Sequence, residues 1–334
     1  MKCVFLATDD KKLREVYSGQ ILDRLVKETG IEPAAYLTQP DIEGKAGDLR
    51  NVECIFSTWN MPVLAEKYIH ENLPNLQAIF YAAGSVKYFA QPFLNCGVRI
   101  FSAAAANAVP VAEFVTAQII LANKGYYGAQ LRYKGRRFRA ARRLAAQHPG
   151  NYGSKVGIIG VGAVGSRVIE LLQPYSLRVL AYDPYLDDAR AREMNCEKVS
   201  LETLFQECQV ISNHLPDNPE TRDMLNYPSF SKMQDAATFI NTGRGAQVVE
   251  KDLVRVLRRN PRMCALLDVS RREPLSPTSS FYRMRNVFIT PHIAGSMRDE
   301  QWRMAAHMLA AYNDWTAQDR SAYEVTQENL DRMA

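Results

Sequence analysis

Nine residues constrain this chain more than any other stretch. They read Gly157-Ile158-Ile159-Gly160-Val161-Gly162-Ala163-Val164-Gly165 and contain the spacing Gly160-x-Gly162-x-x-Gly165. Such a spacing alone is weak, but its surroundings are specific. Val156, Ile158 and Ile159 read as a buried strand directly before it. Val164, Val168, Leu171 and Leu172 form a helical stripe directly after it, and Pro174 stops that helix. A second strand, Val179 to Tyr182, ends in Asp183, eighteen residues past Gly165.

Each part has a physical reason. Gly160 permits a tight strand-to-helix turn, Gly162 has no side chain to block a pyrophosphate, and Gly165 lets helix and strand pack closely. The first helical N–H groups, at Ala163 and Val164, face an anion with the helix dipole behind them. A carboxylate at Asp183 binds ribose hydroxyls and repels a 2′-phosphate. No Arg follows in Asp183-Pro184-Tyr185, so the turn favours NAD over NADP.

The 334 residues suggest two domains, and 47% apolar with 23% charged content is that of an ordinary globular chain. The net charge of +5 is too mild to argue for nucleic acid and suits small anions. Six cysteines form no C-x-x-C and no metal spacing, which reads as reduced thiols and a cytoplasmic protein. The first residues read as a strand and not as a signal peptide. No stretch is expected to span a membrane.

Short apolar runs alternate with amphipathic segments, which predicts parallel sheets with helices on both faces. The early runs are Cys3 to Ala7, Cys54 to Phe56, Ala78 to Tyr81 and Val98 to Phe101. One helix is expected through Leu13, Val16 and Leu25. The small residues from Ser102 to Pro110 mark the crossing into a second domain. Later strands are Val156 to Ile159, Val179 to Tyr182, Val210 to Asn213, Thr238 to Ile240, Ala265 to Val269 and Val287 to Ile289. A last helix begins near Ser296 with Trp302, Ala306, Leu309 and Tyr312 on one face, and a polar tail follows from about Gln318.

Three clusters sit at later strand ends, which form the ligand crevice of an open parallel sheet. They are Asn241 to Gly245, Leu267 to Leu275 and Thr290 to Gly295, and they supply Arg244, Glu273 and His292. Converging Arg, carboxylate and His fit hydride transfer to a 2-oxo acid. The carbonyl oxygen gains charge and then needs a proton, for which His is best matched at neutral pH. A nearby carboxylate favours the imidazolium. An Arg fork binds the substrate carboxylate and polarises the carbonyl. His70, His148 and His307 read as structural or surface residues, and Trp59 as core.

On these residues the chain resembles the D-isomer-specific 2-hydroxyacid dehydrogenase family, most strongly from Val156 to Gly295. The resemblance implies that Arg244 orients substrate, Glu273 is the partner acid and His292 the acid/base. It implies that Asp268 lies beside the nicotinamide, that His214-Leu215-Pro216 lines the cofactor site and that Thr242 contacts the cofactor. Gly84 and Ser85, in Ala83-Gly84-Ser85-Val86, would hold the substrate carboxylate through backbone N–H groups, and Val111-Ala112-Glu113 would open the interdomain helix. It further implies two doubly wound domains. One is a flavodoxin-like substrate domain of residues 1–105 and 300–334. The other is a Rossmann NAD-binding domain of residues 106–299. Catalysis would lie in the cleft, no metal would be needed, and the assembly would be a homodimer built through the NAD domains.

Departures from the family pattern are Ser270-Arg271-Arg272 before Glu273, the tail after Gln318, and a basic stretch. In that stretch Arg132, Lys134, Arg136, Arg137, Arg139, Arg142 and Arg143 crowd together. It reads as a solvated basic loop or helix face, or as an anion or nucleic-acid patch. It alone favours a second reading, an NAD(H)-sensing regulatory protein on the same fold without significant turnover.

Overall fold

The computed structural model describes residues 1–34, 36–44, 46–330 and 333, which fall into two compact α/β units. One comprises Met1–Ala108 and Ser296–Met333, the other Val109–Gly295.

The first unit is built on the parallel strands β1 (Cys3–Leu6), β2 (Tyr36–Leu37), β3 (Cys54–Ser57), β4 (Ala78–Tyr81) and β5 (Arg99–Ser102), in the order β5-β4-β3-β1-β2. Strands β1, β3 and β4 are buried along their whole length, as parallel strands covered on both faces must be. Successive side chains alternate between two cores: Cys3 and Phe5 enter one, Val4 and Leu6 the other. At one level of the sheet Phe5, Phe56, Phe80 and Phe101 are register partners across four strands. Phe80 stacks between Phe56 and Phe101, with ring centroids 5.0 and 4.9 Å apart.

The single early helix expected is two, Lys11–Val16 and Gly19–Thr29. Tyr17 leaves the helical conformation between them and turns its ring into the core, where its hydroxyl donates to the Ser57 carbonyl at 2.9 Å.

The second unit carries β6 (Lys155–Ile159), β7 (Arg178–Tyr182), β8 (Glu197–Lys198), β9 (Val210–Asn213), β10 (Thr238–Asn241), β11 (Cys264–Leu267) and β12 (Val287–Ile289). All run parallel, in the order β12-β11-β10-β9-β6-β7-β8. The chain starts at β6, winds outward through β7 and β8, then crosses back to β9 on the other side. The carboxyl ends of β6 and β9 therefore flank a topological switch point, where open α/β sheets bind ligands.

Helix Ala104–Asn123 carries the chain from the first unit into the second. Contrary to the expectation, this helix is long and apolar enough to cross a membrane by length and composition. Its apolar face is used otherwise: Val111, Ala112, Val115, Ile119 and Ala122 lie in a core of the second unit. The basic stretch folds as two helices, Tyr126–Lys134 and Phe138–Ala145, with Arg132 half-buried and its six basic neighbours exposed.

The chain returns to the first unit in helix Glu300–Gln318 and strand β13 (Glu324–Val325). The first sheet is thus not wholly parallel, because β13 adds antiparallel to β5. Arg99 fastens this edge, donating to both carboxylate oxygens of Glu324 at 2.7 and 2.6 Å and pairing with Asp319. The buried face of the last helix runs through Met304, Ala305, Met308, Leu309, Tyr312 and Trp315. Trp302 falls off that stripe. It is 42% exposed and donates its indole N–H to Ser18 at 3.0 Å.

Phe80 touches two rungs of the aromatic ladder as well as Tyr312 and Trp315. Phe80→Ala should destabilise the first unit by about 3–5 kcal/mol. Urea unfolding followed by circular dichroism reads this, and a loss under about 1 kcal/mol would contradict the ladder.

Candidate active site

The glycine turn leaves the carboxyl end of β6 at the switch point. Gly160 has φ +86°, and a Cβ there would lie 2.8 Å from the carbonyl carbon and oxygen of His214. A Cβ on Gly165 would lie 2.0 Å from the Gly160 oxygen. These two positions admit no side chain. At Gly162 a Cβ would meet nothing within 4 Å. Gly162 is also the N-cap of helix Ala163–Leu172 and has no side chain to cap it. The first-turn N–H groups, including those of Ala163 and Val164, are left for an anion. Asp183 accepts the Val161 N–H on one carboxylate oxygen and the Tyr185 N–H on the other, each at 2.7 Å. It therefore ties the turn to the end of β7 while keeping lone pairs for hydroxyl donors. These residues fit a dinucleotide.

At the end of β9, His214 is buried. Its Nε2 lies 2.9 Å from the Ser212 hydroxyl and its Nδ1 3.5 Å from that of Thr242. Burial pushes its pKa down to about 3, so it stays neutral and is no acid/base candidate. Pro216 follows, its carbonyl taking hydrogen bonds from Thr221 Oγ1 and Gln247 Nε2 at 2.6 and 2.8 Å.

Arg244 lies in the loop after β10, half-buried. Desolvation holds its pKa below the ordinary arginine value, opposed by the carboxylates of Glu273 and Asp217. It stays a cation. The loop after β11 approaches it through Gly245, where a Cβ would lie 2.0 Å from the Ser270 carbonyl carbon. That contact is what brings the arginine loop beside the Glu273 loop, and no spacing in the sequence announces it.

Glu273 and His292 meet directly, Oε2 to Nδ1 at 2.7 Å. The other carboxylate oxygen of Glu273 accepts the Ser270 N–H at 3.1 Å. Of the arginines before Glu273, Arg271 is paired with Asp223, so its charge is taken up away from Glu273. His292 has φ +53°, a left-handed backbone that costs about 1–3 kcal/mol in a non-glycine residue. Asp268 holds that conformation. Its carboxylate accepts from Thr290 Oγ1 at 2.6 Å, from the Ile293 N–H at 2.8 Å and from the Ala294 N–H at 2.9 Å. Its carbonyl accepts the His292 N–H at 3.0 Å. Arg244, Glu273 and His292 thus come together at the carboxyl ends of β10, β11 and β12. Among the described residues, no group of three or more His, Cys, Asp or Glu could hold a metal ion.

Residues 116–294 match the profile described as D-isomer specific 2-hydroxyacid dehydrogenase, NAD binding domain. The chain belongs to this family. The matched region is the family's NAD-binding domain, and NAD is its cofactor. Relatives include a glyoxylate reductase of Aeropyrum pernix, 37% identical over 48% of this chain and 48% of its own. A D-3-phosphoglycerate dehydrogenase of Synechocystis is 33% identical over 49% of this chain and 29% of its own. The chain thus spans about half or less of the length of these curated relatives. Among solved structures, a phosphoglycerate oxidoreductase from Rhizobium etli superposes with a TM-score of 0.80 at 18% identity, covering 99% of this chain and 100% of the other. That likeness is one of fold. The two-domain α/β architecture is the one expected for the D-2-hydroxyacid dehydrogenase family.

Gly84 and Ser85, the substrate loop implied by the family resemblance, belong to the first unit, just past β4. Both are half-buried, and the Gly84 carbonyl accepts from Ser102 Oγ at 2.6 Å. Sequence reasoning missed Asn213, Asn241 and Gln247, whose buried amides join the loops after β9 and β10. It gave Asp268 only a place beside the cofactor, whereas here it also braces the His292 loop.

His214 gives this site a pH signature. Above the ordinary histidine value of 6.5 folded and unfolded chains are both neutral there. Below it the unfolded chain takes up a proton that the folded chain refuses until about pH 3. This residue's share of stability is therefore complete above that value. It falls with decreasing pH by about 1.4 kcal/mol per unit. Urea midpoints measured from pH 7 to pH 4.5 should fall less steeply in His214→Gln than in the parent chain, by about that slope. Parallel curves would contradict the burial.

Proposed function

We propose that the chain is an NAD-dependent oxidoreductase that interconverts a D-2-hydroxy acid and a 2-oxo acid. The observation that carries this reading is the 2.7 Å bond between His292 and Glu273 beside the arginine loop. Bound NAD supplies or accepts the hydride. Glu273 takes the Nδ1–H of His292, which leaves Nε2 to move the proton. In reduction the imidazolium Nε2–H donates to the carbonyl oxygen. In oxidation the neutral Nε2 accepts the hydroxyl proton. The Arg244 guanidinium binds the substrate carboxylate and draws charge onto the carbonyl oxygen. Gly84 and Ser85 offer backbone N–H groups to the same carboxylate. Gly160, Gly162, Ala163, Val164 and Gly165 hold the pyrophosphate, Asp183 the adenine ribose, and Pro216, Thr242 and Asp268 the nicotinamide half. Glyoxylate, hydroxypyruvate, lactate/pyruvate and phosphoglycerate are the candidate substrates. Residues 1–105 with 300–334 serve substrate, and residues 106–299 serve NAD. Six free thiols suit a reducing cytoplasm.

A panel of 2-oxo acids, followed by loss of NADH absorbance, should find at least one that is turned over. His292→Ala should lower kcat by about 10²–10⁴-fold. Arg244→Ala should lower kcat/KM by about 10²–10³-fold. NADPH should serve at least tenfold less well, because a carboxylate at Asp183 would repel a 2′-phosphate. Tight NADH binding without turnover of any acid would leave the second reading, an NAD(H) sensor. The exposed basic helices favour that reading, since catalysis does not use them.

The same helices bear on assembly. Tyr126, Tyr133 and Phe138 are 41, 61 and 56% exposed, and Tyr133 packs edge-on against Phe138. A homodimer through the NAD unit would cover them. Sedimentation equilibrium should give twice the chain mass, and Tyr133→Glu with Phe138→Glu should return the monomer. A parent chain that sediments as a monomer at micromolar concentration ends this proposal.

A further inference from the structure

Strands β9 and β10 stop at Asn213 and Asn241, and past them one ladder bond persists on the β9 side, from the His214 N–H to the Ile159 carbonyl at 2.7 Å. The loops that follow carry His214-Leu215-Pro216 on one side and Thr242-Gly243-Arg244 on the other. Polar groups there must be satisfied by side chains, because a buried unpaired carbonyl or N–H is costly. Gln247 does this. It sits three residues after Arg244, in the short turn Gly245–Gln247, with no exposed surface.

Its amide uses its full hydrogen-bonding capacity. The Oε1 atom accepts the Arg244 N–H at 3.2 Å and Asn213 Nδ2 at 2.5 Å. The Nε2 atom donates to the Leu215 carbonyl at 2.5 Å and the Pro216 carbonyl at 2.8 Å. A primary amide has two acceptor sites and two donors, and all four are filled. Around it Asn241 adds a second brace. Its Oδ1 accepts from Asn213 Nδ2 at 3.0 Å and from the Gly243 N–H at 3.1 Å, while its Nδ2 donates to the Arg244 carbonyl at 3.2 Å. The backbone of Gln247 is anchored too, since its carbonyl accepts the Leu225 N–H at 2.9 Å.

We propose that Gln247 is a positioning residue that locks the backbone of Arg244 and the backbone of Leu215–Pro216 into one frame, so that substrate anion and nicotinamide nucleotide are held in register. The proposal rests on the roles given above to Arg244 and Pro216. Gln247 touches neither ligand. It acts through one peptide N–H on the substrate side and two carbonyls on the cofactor side. Only a side chain with both donors and acceptors, at this length, reaches both loops. Methionine matches its length but makes none of the four bonds. Asparagine keeps the amide but is one methylene short.

The test compares Gln247→Met and Gln247→Asn with Leu257→Ala, a buried leucine of the hydrophobic core that also holds Leu215. Each chain is measured for thermal midpoint, for NADH affinity by fluorescence titration, and for KM and kcat of the 2-oxo acid at saturating NADH. Both Gln247 variants should weaken NADH binding and raise the 2-oxo acid KM by about tenfold each, with kcat less affected. Leu257→Ala should lower the midpoint as much while leaving both constants within about twofold. Gln247 variants that follow Leu257→Ala in all three readings overturn the proposal. If the parent chain binds NADH but turns over no 2-oxo acid, the functional reading fails and the titration alone decides. Unchanged NADH affinity in Gln247→Met then overturns the proposal, and a tenfold loss upholds it. A parent chain that binds no NADH overturns both.

Discussion

The second unit depends on a contact between backbones. At the switch point a Cβ on Gly165 would lie only 2.0 Å from the Gly160 oxygen, and one on Gly160 only 2.8 Å from the His214 carbonyl. Helix Ala163–Leu172, strand β6 and the end of strand β9 can approach this closely only because two side chains are missing. The approach has consequences in several directions. It turns the helix N-terminus toward the crevice, with its unpaired N–H groups. It brings Val161 to the Asp183 carboxylate, and it buries His214 so that desolvation holds the ring neutral down to about pH 3. A methyl group at either glycine would force all of these apart at once.

The loops that carry Arg244, Glu273 and His292 are organised by a different means. Loops after parallel strands lack the ladder that holds the strands, so their backbone groups need partners of another kind. Buried polar side chains supply them. Asp268 gathers three donors from the His292 loop. Gln247 and Asn241 link the loops after β9 and β10. Gly245 closes the gap to the Glu273 loop by contact alone. The left-handed backbone at His292 is kept by this bracing, which is how a strained conformation persists at a working site.

Much of this was legible in the residues. Apolar runs bounded by turns marked the strands, because a strand covered on both faces must be apolar throughout. The glycine turn, Asp183 and the three ionisable groups after later strands were legible because each sits at a strand end of recognisable type. What escaped depends on contacts between distant segments. Register aligns Phe5, Phe56, Phe80 and Phe101, and no local pattern encodes register. Gln247 reads as an ordinary turn residue until Leu215 and Pro216 are folded against it. The two-residue strands β8 and β13, Glu-Lys and Glu-Val, are too short and polar to show a period. Tyr17 looks like a continuing helix because the carbonyl that captures its hydroxyl is forty residues away. The apolar helix Ala104–Asn123 is as hydrophobic as a membrane span, and only its packing shows that a core takes that surface.

The antiparallel edge strand β13 bears on how the chain comes into being. The first unit includes Ser296–Met333, so its last helix and its edge strand leave the ribosome only after the whole of Val109–Gly295. The second unit is contiguous and has every one of its strands in hand while the first still lacks helix Glu300–Gln318 as a cover for Phe56 and Phe80. Until then the aromatic ladder has one open face, and β5 has a free edge with Arg99 unpaired. The half that is translated first is therefore the half that finishes folding last. In that interval the nascent chain presents an open aromatic face and a free strand edge, the kinds of surface through which incomplete folds associate.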